Sequence, residues 1–244
     1  MNSVLSQMDR TYLSDMQQYN RLLAQRNRML KQEQVELSLL EVFDNRMSVL
    51  ADRIYQLRNE FVTKLCPVVS QYYNMLSGGM EEVSIQYESD LQKGSLETVL
   101  AGCRGRDLAL HYTSAGIQRD DLIFSMNGYP IRRCGSQGQQ KSFLVSLKFA
   151  QYEIMKQAYG FAPILLLDDV FDKLDMNRIS NLLGMVAGQE FGQIFITDSN
   201  KIRMSNIVDG ITQDRAYFVT SAGTFTQEEL AGEKNDLPED LPEA

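Results

Sequence analysis

Ile164-Leu165-Leu166-Leu167 is a run of four bulky apolar residues followed at once by Asp168-Asp169. The run is too short for a helix. An unbroken apolar run of this length reads as a strand buried on both faces, as in a parallel sheet. In open α/β sheets, ligands collect at the carboxyl ends of the strands. The two acids therefore stand where chemistry gathers, although a strand end with two solvated carboxylates has the same signature.

The flanking segments set the class. Ser142 to Tyr159 has a helical pattern, with Phe143, Leu144, Leu147, Ala150 and Ile154 on its apolar face. Asn177 to Val186 reads as a second helix and Gln193 to Thr197 as a second strand. Helix, strand, helix, strand is the alternation of an α/β sheet. Near the carboxyl end, Tyr217 to Thr220 and Thr224 to Thr226 form a candidate hairpin around Ala222-Gly223.

Upstream the period changes. Asp9 to Gln32 reads as a helix rich in Gln, Arg, Leu and Met, and Val35 to Leu76 as a stronger one. In the latter, Leu39, Val42, Phe43, Met47, Leu50, Ile54, Leu57, Phe61 and Leu65 recur mostly at steps of three and four, which predicts one buried face. Such a stripe is core packing. Pro67 is expected to kink or end the helix. The two helices suit an antiparallel hairpin. The pattern spans too few heptads for a long coiled coil. Ser77-Gly78-Gly79 breaks the helix, and Val83 to Tyr87 alternates as a strand does. Leu91 to Gly102 reads as a short helix, and Leu108 to Tyr112 and Leu122 to Met126 as short strands. Asn127-Gly128 is a hairpin turn.

With 43% hydrophobic and 23% charged residues, the chain has an ordinary folded composition. No apolar run approaches the roughly 20 residues that span a bilayer. Cys66, Cys103 and Cys134 form no CxxC pair, which argues against a zinc site or a disulfide framework. A cytoplasmic protein without membrane contact is the default expectation. The net charge is −8, but Glu228, Glu229, Glu233, Asp236, Glu239, Asp240 and Glu243 crowd the end against Lys234 alone. Residues 228–244 are expected to be an acidic disordered tail. The body is then near neutral and free to carry a basic face.

Gly135-Ser136-Gln137-Gly138-Gln139-Gln140-Lys141-Ser142 precedes the first of these helices. Its glycines let backbone approach an anion. Ser136 offers a hydroxyl, and Gln137, Gln139 and Gln140 offer neutral donors. The helix that follows aims its positive end at the same point. Alone, the segment also fits an ordinary loop capped by serine. Coupled through one helix to the Asp168-Asp169 strand, with Asp175 in the turn-like Asp172-Lys173-Leu174-Asp175, it is far more specific.

The arrangement resembles the ABC-type ATPase head. In that family the Ser-x-Gly-Gln loop is the signature, the apolar strand is Walker B, and Asp175 matches the D-loop aspartate. Two heads sandwich ATP, each signature facing the other head's phosphate loop. The resemblance implies an α/β fold with a partial ABC-type head, a P-loop NTPase-like sheet flanked by helices, plus an α-helical lobe. It implies that Asp168 holds Mg2+ through its water shell and that Asp169 orients or deprotonates the attacking water. Ser136, Gln137, Gly138 and Gln139 would meet the γ-phosphate in trans. No GxxxxGK[ST] occurs in the 244 residues. The switch histidine that often follows Walker B in ABC heads is absent after Phe195-Ile196, and Thr197 or Asp198 would stand in for it. His111, the single histidine, lies in one of the strand-like runs and cannot make a metal site alone.

Three stretches are similar to the RecF family. They are Gln17 to Lys31, with the pattern QxYNRxLxQRNxxLK; Thr113 to Leu122; and Gly135 to Asp175. RecF proteins usually show TxxGPHRDD at the second stretch. Here Ile117 and Gln118 replace the Pro-His, while Gly116, Arg119, Asp120 and Asp121 match. The resemblance implies the carboxyl-terminal two-thirds of such a protein, with the phosphate loop upstream. Residues 1–95 would be the helical lobe and residues 96–227 the remainder of the ATPase lobe. It further implies ATP-dependent homodimerisation and recombinational DNA repair. The dimer would bind duplex DNA near single-strand gaps, with RecR and RecO, to help load recombinase. The intact protein would be an ATPase, and this chain alone would be inactive without the phosphate loop. Arg132 and Arg133 are candidate contacts to DNA phosphates, or a solvated pair. Two alternatives remain: a non-catalytic interaction module, and another SMC-like head such as a RecN relative. The modest helical lobe counts against the second.

Overall fold

The structure, a computed structural model, describes residues 1–79, 81–186, 191–210 and 212–228. It divides into two compact units, the first Met1–Asp198 and the second starting at Ser199.

The first unit opens with α1 (Asn2–Met8) and α2 (Arg10–Met29). Asp9 separates them and caps α2, its carboxylate accepting from the amides of Thr11 and Tyr12 at 2.7 and 3.2 Å. α3 (Leu37–Ser77) runs for 41 residues and ends on Gly78 at φ 73°. α2 and α3 are antiparallel, as three side-chain bonds record. Arg26 Nε reaches Asp44 at 2.6 Å, Arg53 Nη2 reaches Asp15 at 2.9 Å, and Arg58 Nε reaches the Tyr12 hydroxyl at 3.1 Å.

α3 differs from its sequence reading in where its buried stripe begins. Its buried stripe includes Leu40, Asp44, Met47, Ala51, Ile54, Arg58, Phe61, Leu65, Val69, Tyr73 and Leu76. Leu39 and Val42 are 43% and 46% exposed. Polar Asp44 and Arg58 take core positions on this stripe, so an apolar count alone misplaces its start. Pro67 lies inside the helix without ending it.

β1 (Val83–Glu88) pairs antiparallel with β2 (Asp121–Met126), Val83 facing Met126 and Glu88 facing Asp121. Between them, a 3-10 turn at Asp90–Lys93 leads into α4 (Leu96–Leu110). The expected strand at Leu108 to Tyr112 does not form; Leu108 to Leu110 are instead the end of this helix. Helical propagation from Ser95 carries through Leu110, and His111 closes it at φ 58°. The expected helix over Leu91 to Gly102 is split at Gly94. The turn Asn127-Gly128 has φ 49° and 80°, as a two-residue hairpin requires, and joins β2 to β3 (Tyr129–Pro130).

α5 (Ile131–Cys134) and α6 (Gln137–Tyr159) follow. α6 packs along α3; Phe143, Phe149, Ala150 and Ile154 are buried, whereas Leu144 is 49% exposed. β4 (Leu165–Asp168) and β5 (Ile194–Thr197) pair in parallel, Leu165 beside Ile194 and Asp168 beside Thr197. α7 (Met176–Val186) lies between them in sequence. Burial of β4 on both faces is not observed. Leu165 and Leu167 are buried, while Ile164 and Leu166 are 60% and 70% exposed. Side chains alternate across a strand, and among the described residues only one face of this pair is covered.

In the second unit, α8 (Lys201–Asp209) precedes β6 (Tyr217–Ser221) and β7 (Thr224–Glu228), an antiparallel hairpin turning at Ala222 and Gly223. Glu228, expected in the tail, pairs with Tyr217 in that hairpin. The rest of the acidic stretch lies outside the described residues. Among the described residues, no helix is long and apolar enough to cross a membrane.

Candidate functional site

Ser136 starts α6 with a reciprocal cap. Its hydroxyl oxygen accepts from the Gln139 amide at 3.2 Å, and its own amide donates to Gln139 Oε1 at 2.7 Å. This capping box satisfies two backbone donors and fixes the entry of the loop. Gln139 and Gln140 also use their side-chain amides inside the protein, donating to Glu81 Oε1 at 2.7 Å and to the Gly135 carbonyl at 2.8 Å. Ser136 and Gln137 are exposed. The first amides of α6 have no partner within the helix, so this end offers a hydroxyl, an amide side chain and backbone N–H groups to an anion.

Asp168 ends β4 and Asp169 follows it, both exposed. The Thr197 hydroxyl donates to Asp168 Oδ1, and the Asp169 amide donates to the Thr197 carbonyl at 3.2 Å. Asp169 has φ 47°, a left-handed conformation that turns the chain sharply off the strand. Lys141 Nζ donates to the Asp169 carbonyl at 3.0 Å, tying the first turns of α6 to the acidic strand end. A β-carbon on Gly138 would stand 3.0 Å from the Lys173 carbonyl, so the glycine lets α6 approach the 172–175 turn. Asp175 caps α7, accepting from the Arg178 amide at 2.9 Å. The loop, the strand end and the turn are thus contiguous. Thr197 sits within this group, and Asp198 follows it, partly buried.

Sequence reasoning missed the residues that hold these pieces together. Arg178 donates to Ser142 Oγ at 2.8 Å, pairs with Glu81 at 3.1 Å and approaches Asp175 at 3.4 Å. Glu81 also accepts from the Tyr73 hydroxyl. Burial pushes the Glu81 carboxyl up, but hydrogen bonds from Gln139 and Tyr73 and the Arg178 charge outweigh it and hold it below the usual range. Burial and the bond to Glu81 push the Tyr73 hydroxyl up to about 12. The Asp175–Arg178 spacing was legible as a helix-start pair; nothing in the sequence marked Glu81.

The stretch at 113–122 has a structural role. Arg26, fully buried, donates to Asp44 at 2.6 Å, Asp107 at 2.7 Å and Thr113 at 2.8 Å. Arg58 donates to the Ile117 carbonyl at 2.7 Å and pairs with Asp120, which also accepts from Tyr87. Gln118 accepts from the Tyr19 hydroxyl at 2.6 Å and donates to the Ala115 carbonyl at 2.7 Å. Arg119 donates to the Ser114 carbonyl. His111 Nδ1 lies 2.8 Å from the Leu30 carbonyl. Arg132 and Arg133 are exposed.

Among the described residues, no group of three or more His, Cys, Asp or Glu side chains is arranged to hold a metal ion. A magnesium ion needs no such cage, because it keeps much of its water and takes one or two carboxylates plus substrate phosphates. Asp168, exposed and braced by Thr197, fits that mode.

No family model matches the chain. It is 40% identical over 223 residues to the DNA replication and repair protein RecF of Parabacteroides distasonis, covering 91% of this chain and 61% of that protein. It is 40% identical over 222 residues to the RecF of Flavobacterium johnsoniae, covering 89% of this chain and 62% of that protein. A solved structure of the recombination mediator protein RecF-ATP in the RecFOR pathway superimposes with a TM-score of 0.75 at 29% identity. It covers 93% of this chain and 61% of that one. The chain thus spans about three-fifths of the length of the curated relatives it matches.

Proposed function

We propose that this chain, which belongs to the RecF family along the three-fifths of its relatives' length that it spans, supplies the γ-phosphate-facing half of an ATP sandwich in a DNA repair ATPase. The observation that carries this reading is the junction at Lys141, whose ammonium bonds the Asp169 carbonyl at 3.0 Å. Through it, an anion-ready helix start and a pair of strand-end carboxylates are held as one surface.

In this reading Ser136, Gln137, Gly138 and Gln139 meet the γ-phosphate of a nucleotide held by a second copy. The hydroxyl, the amide side chain and the α6 dipole stabilise charge there. Asp168 would hold Mg2+, which would supply positive charge against the phosphates. Asp169 orients the water that attacks, or takes its proton. Thr197 braces Asp168 and, with Asp198, occupies the switch position. Asp175 presents the D-loop to the second copy. Dimerisation on ATP would close the assembly on duplex DNA near single-strand gaps, with RecR and RecO as partners. The relatives' description as DNA replication and repair proteins and the ATP-bound solved relative support this.

The test uses the chain fused behind a phosphate-loop segment of the kind the resemblance places upstream. Sedimentation with a slowly hydrolysed ATP analogue should give a dimer. Ser136→Arg, which sets bulk and charge at the shared phosphate, should leave a monomer. Asp169→Asn should still dimerise with ATP while hydrolysis falls by roughly a hundredfold or more, the scale of a general base. A dimer with Ser136→Arg would refute the signature role and favour a non-catalytic module.

A further inference from the structure

We infer that the outer face of α2 is a phosphodiester-binding strip for duplex DNA, with Arg10, Arg21 and Arg28 as its cations. The choice of DNA over another polyanion rests on the DNA repair reading above; the placement on α2 does not.

The segment 10–32 has five cations, Arg10, Arg21, Arg26, Arg28 and Lys31, and a single carboxylate, Asp15, in a chain of net charge −8. Asp15 is buried and paired with Arg53 at 2.9 Å, and Arg26 is buried on Asp44 and Asp107. What α2 presents to solvent is therefore cationic and carboxylate-free. Arg10, Arg21 and Arg28 are exposed, and none of the ion pairs among the described residues involves them.

Geometry aligns them. At 100° per residue, steps of eleven and seven return nearly to the same side of a helix, so these three arginines share one line. The rise per residue separates them by roughly 16 and 10 Å along about 30 Å of helix. Exposed Ser14, Gln17 and Gln25 fall close to that line and add neutral donors between the cations. A duplex carries one charge per about 1.7 Å of axis, so a line of this length always has phosphates within reach.

The same face selects duplex over single strand. Single-strand sites stack bases on aromatic side chains. The two aromatics of α2, Tyr12 and Tyr19, are fully buried, and the exposed face has none. A strip that supplies charge and hydrogen bonds without a stacking platform suits a backbone contact that does not read sequence.

The experiment is fluorescence anisotropy of a labelled duplex of about 30 base pairs, several times the length of the strip, titrated with this chain across a salt series. No nucleotide is present, so failure here leaves the ATP reading intact, and failure of the Ser136→Arg test leaves this one intact. We expect Arg21→Ala with Arg28→Ala to weaken binding about tenfold or more at low salt. The slope of log affinity against log salt should fall by roughly 2, near 0.9 per lost phosphate contact. Arg132→Ala with Arg133→Ala should change neither. Alanine is the better helix former at exposed positions, so an unchanged helical spectrum is expected for the α2 pair. Absence of duplex binding by the unaltered chain would overturn the proposal, as would an unchanged slope in the α2 pair. Tighter binding of a single strand of equal length, or loss of binding only in the Arg132/Arg133 pair, would overturn it too.

Discussion

Arg178 donates two hydrogen bonds to Glu81, at 3.1 and 3.3 Å, from ninety-seven positions further along the chain. Glu81 lies between α3 and β1, and Arg178 lies in the first turn of α7. Both also touch the start of α6, Glu81 through Gln139 at 2.7 Å and Arg178 through Ser142 at 2.8 Å. The pair therefore locks the loop, the Asp175 turn and the end of the long helix into one block. A shift of α3 would reach Ser136 through two bonds, Glu81 to Gln139 and Gln139 to Ser136.

This pair makes stability depend on acid. Glu81 is held below its ordinary range in the folded chain, so its contribution is present above the unfolded carboxyl value of about 4.3. It is lost as pH falls through the lower folded value. Glu81→Gln should cost about 1.5–3 kcal/mol at neutral pH, the worth of a charged hydrogen bond. It should also flatten the loss of stability below pH ~4.5. Urea midpoints followed by circular dichroism between acid and neutral pH measure both; parallel curves for the two proteins would exclude the assigned role.

Arg26 offers the opposite experiment, a core charge without a site. It is fully buried between Asp44 and Asp107. Arg26→Met fills similar volume but strands two buried carboxylates, and should cost about 3–5 kcal/mol in urea unfolding. Adding Asp44→Asn and Asp107→Asn should recover part of that loss, because neutral amides leave less uncompensated charge. If the triple variant is no more stable than Arg26→Met, stranded charge is not what destabilises the single variant.

How much of this was legible varies with the range of the interaction. The turn at Asn127-Gly128, the cap at Ser136 and the parallel pairing of β4 with β5 depend on residue type and local period, and the sequence carries both. The start of the α3 stripe was misread because Asp44 and Arg58 occupy core positions that a hydrophobic count treats as surface. Leu108 to Tyr112 reads like a strand, but its first three residues are drawn into α4 by a helix already nucleated at Ser95. At the site, Asp168, Asp169 and Ser136 were visible as motif residues. Glu81 was not, because the two partners that tie it to the site, Gln139 and Arg178, lie 58 and 97 positions away and no spacing rule connects them.

Gly116 is a position where backbone conformation and crowding act together. It has φ 120°, and a β-carbon there would stand 2.8 Å from Gln118 Oε1, 2.9 Å from the Tyr19 hydroxyl and 3.0 Å from Leu96 Cδ1. Gly116→Ala should cost about 1–3 kcal/mol through strain and overpacking. Gly105 sits inside α4 with open space around its would-be β-carbon. Gly105→Ala should stabilise by about 0.5–1 kcal/mol. Thermal unfolding of the two variants should therefore shift in opposite directions. Equal shifts would mean that the turn at Gly116 relaxes to admit a methyl group.

Ser136 has two roles that one substitution can separate. As a cap its oxygen accepts from the Gln139 amide at 3.2 Å, and aspartate or asparagine caps a helix as well as serine does. As part of an anion site, the same position tolerates a neutral side chain and repels a phosphate once it carries negative charge. Ser136→Asn and Ser136→Asp should thus both keep the stability read from thermal unfolding within about 0.5 kcal/mol of the unaltered chain. In the phosphate-loop fusion, Ser136→Asn should still dimerise on the ATP analogue, whereas Ser136→Asp should not. If the aspartate variant dimerises equally well, the start of α6 is a structural cap alone, and the γ-phosphate is met elsewhere.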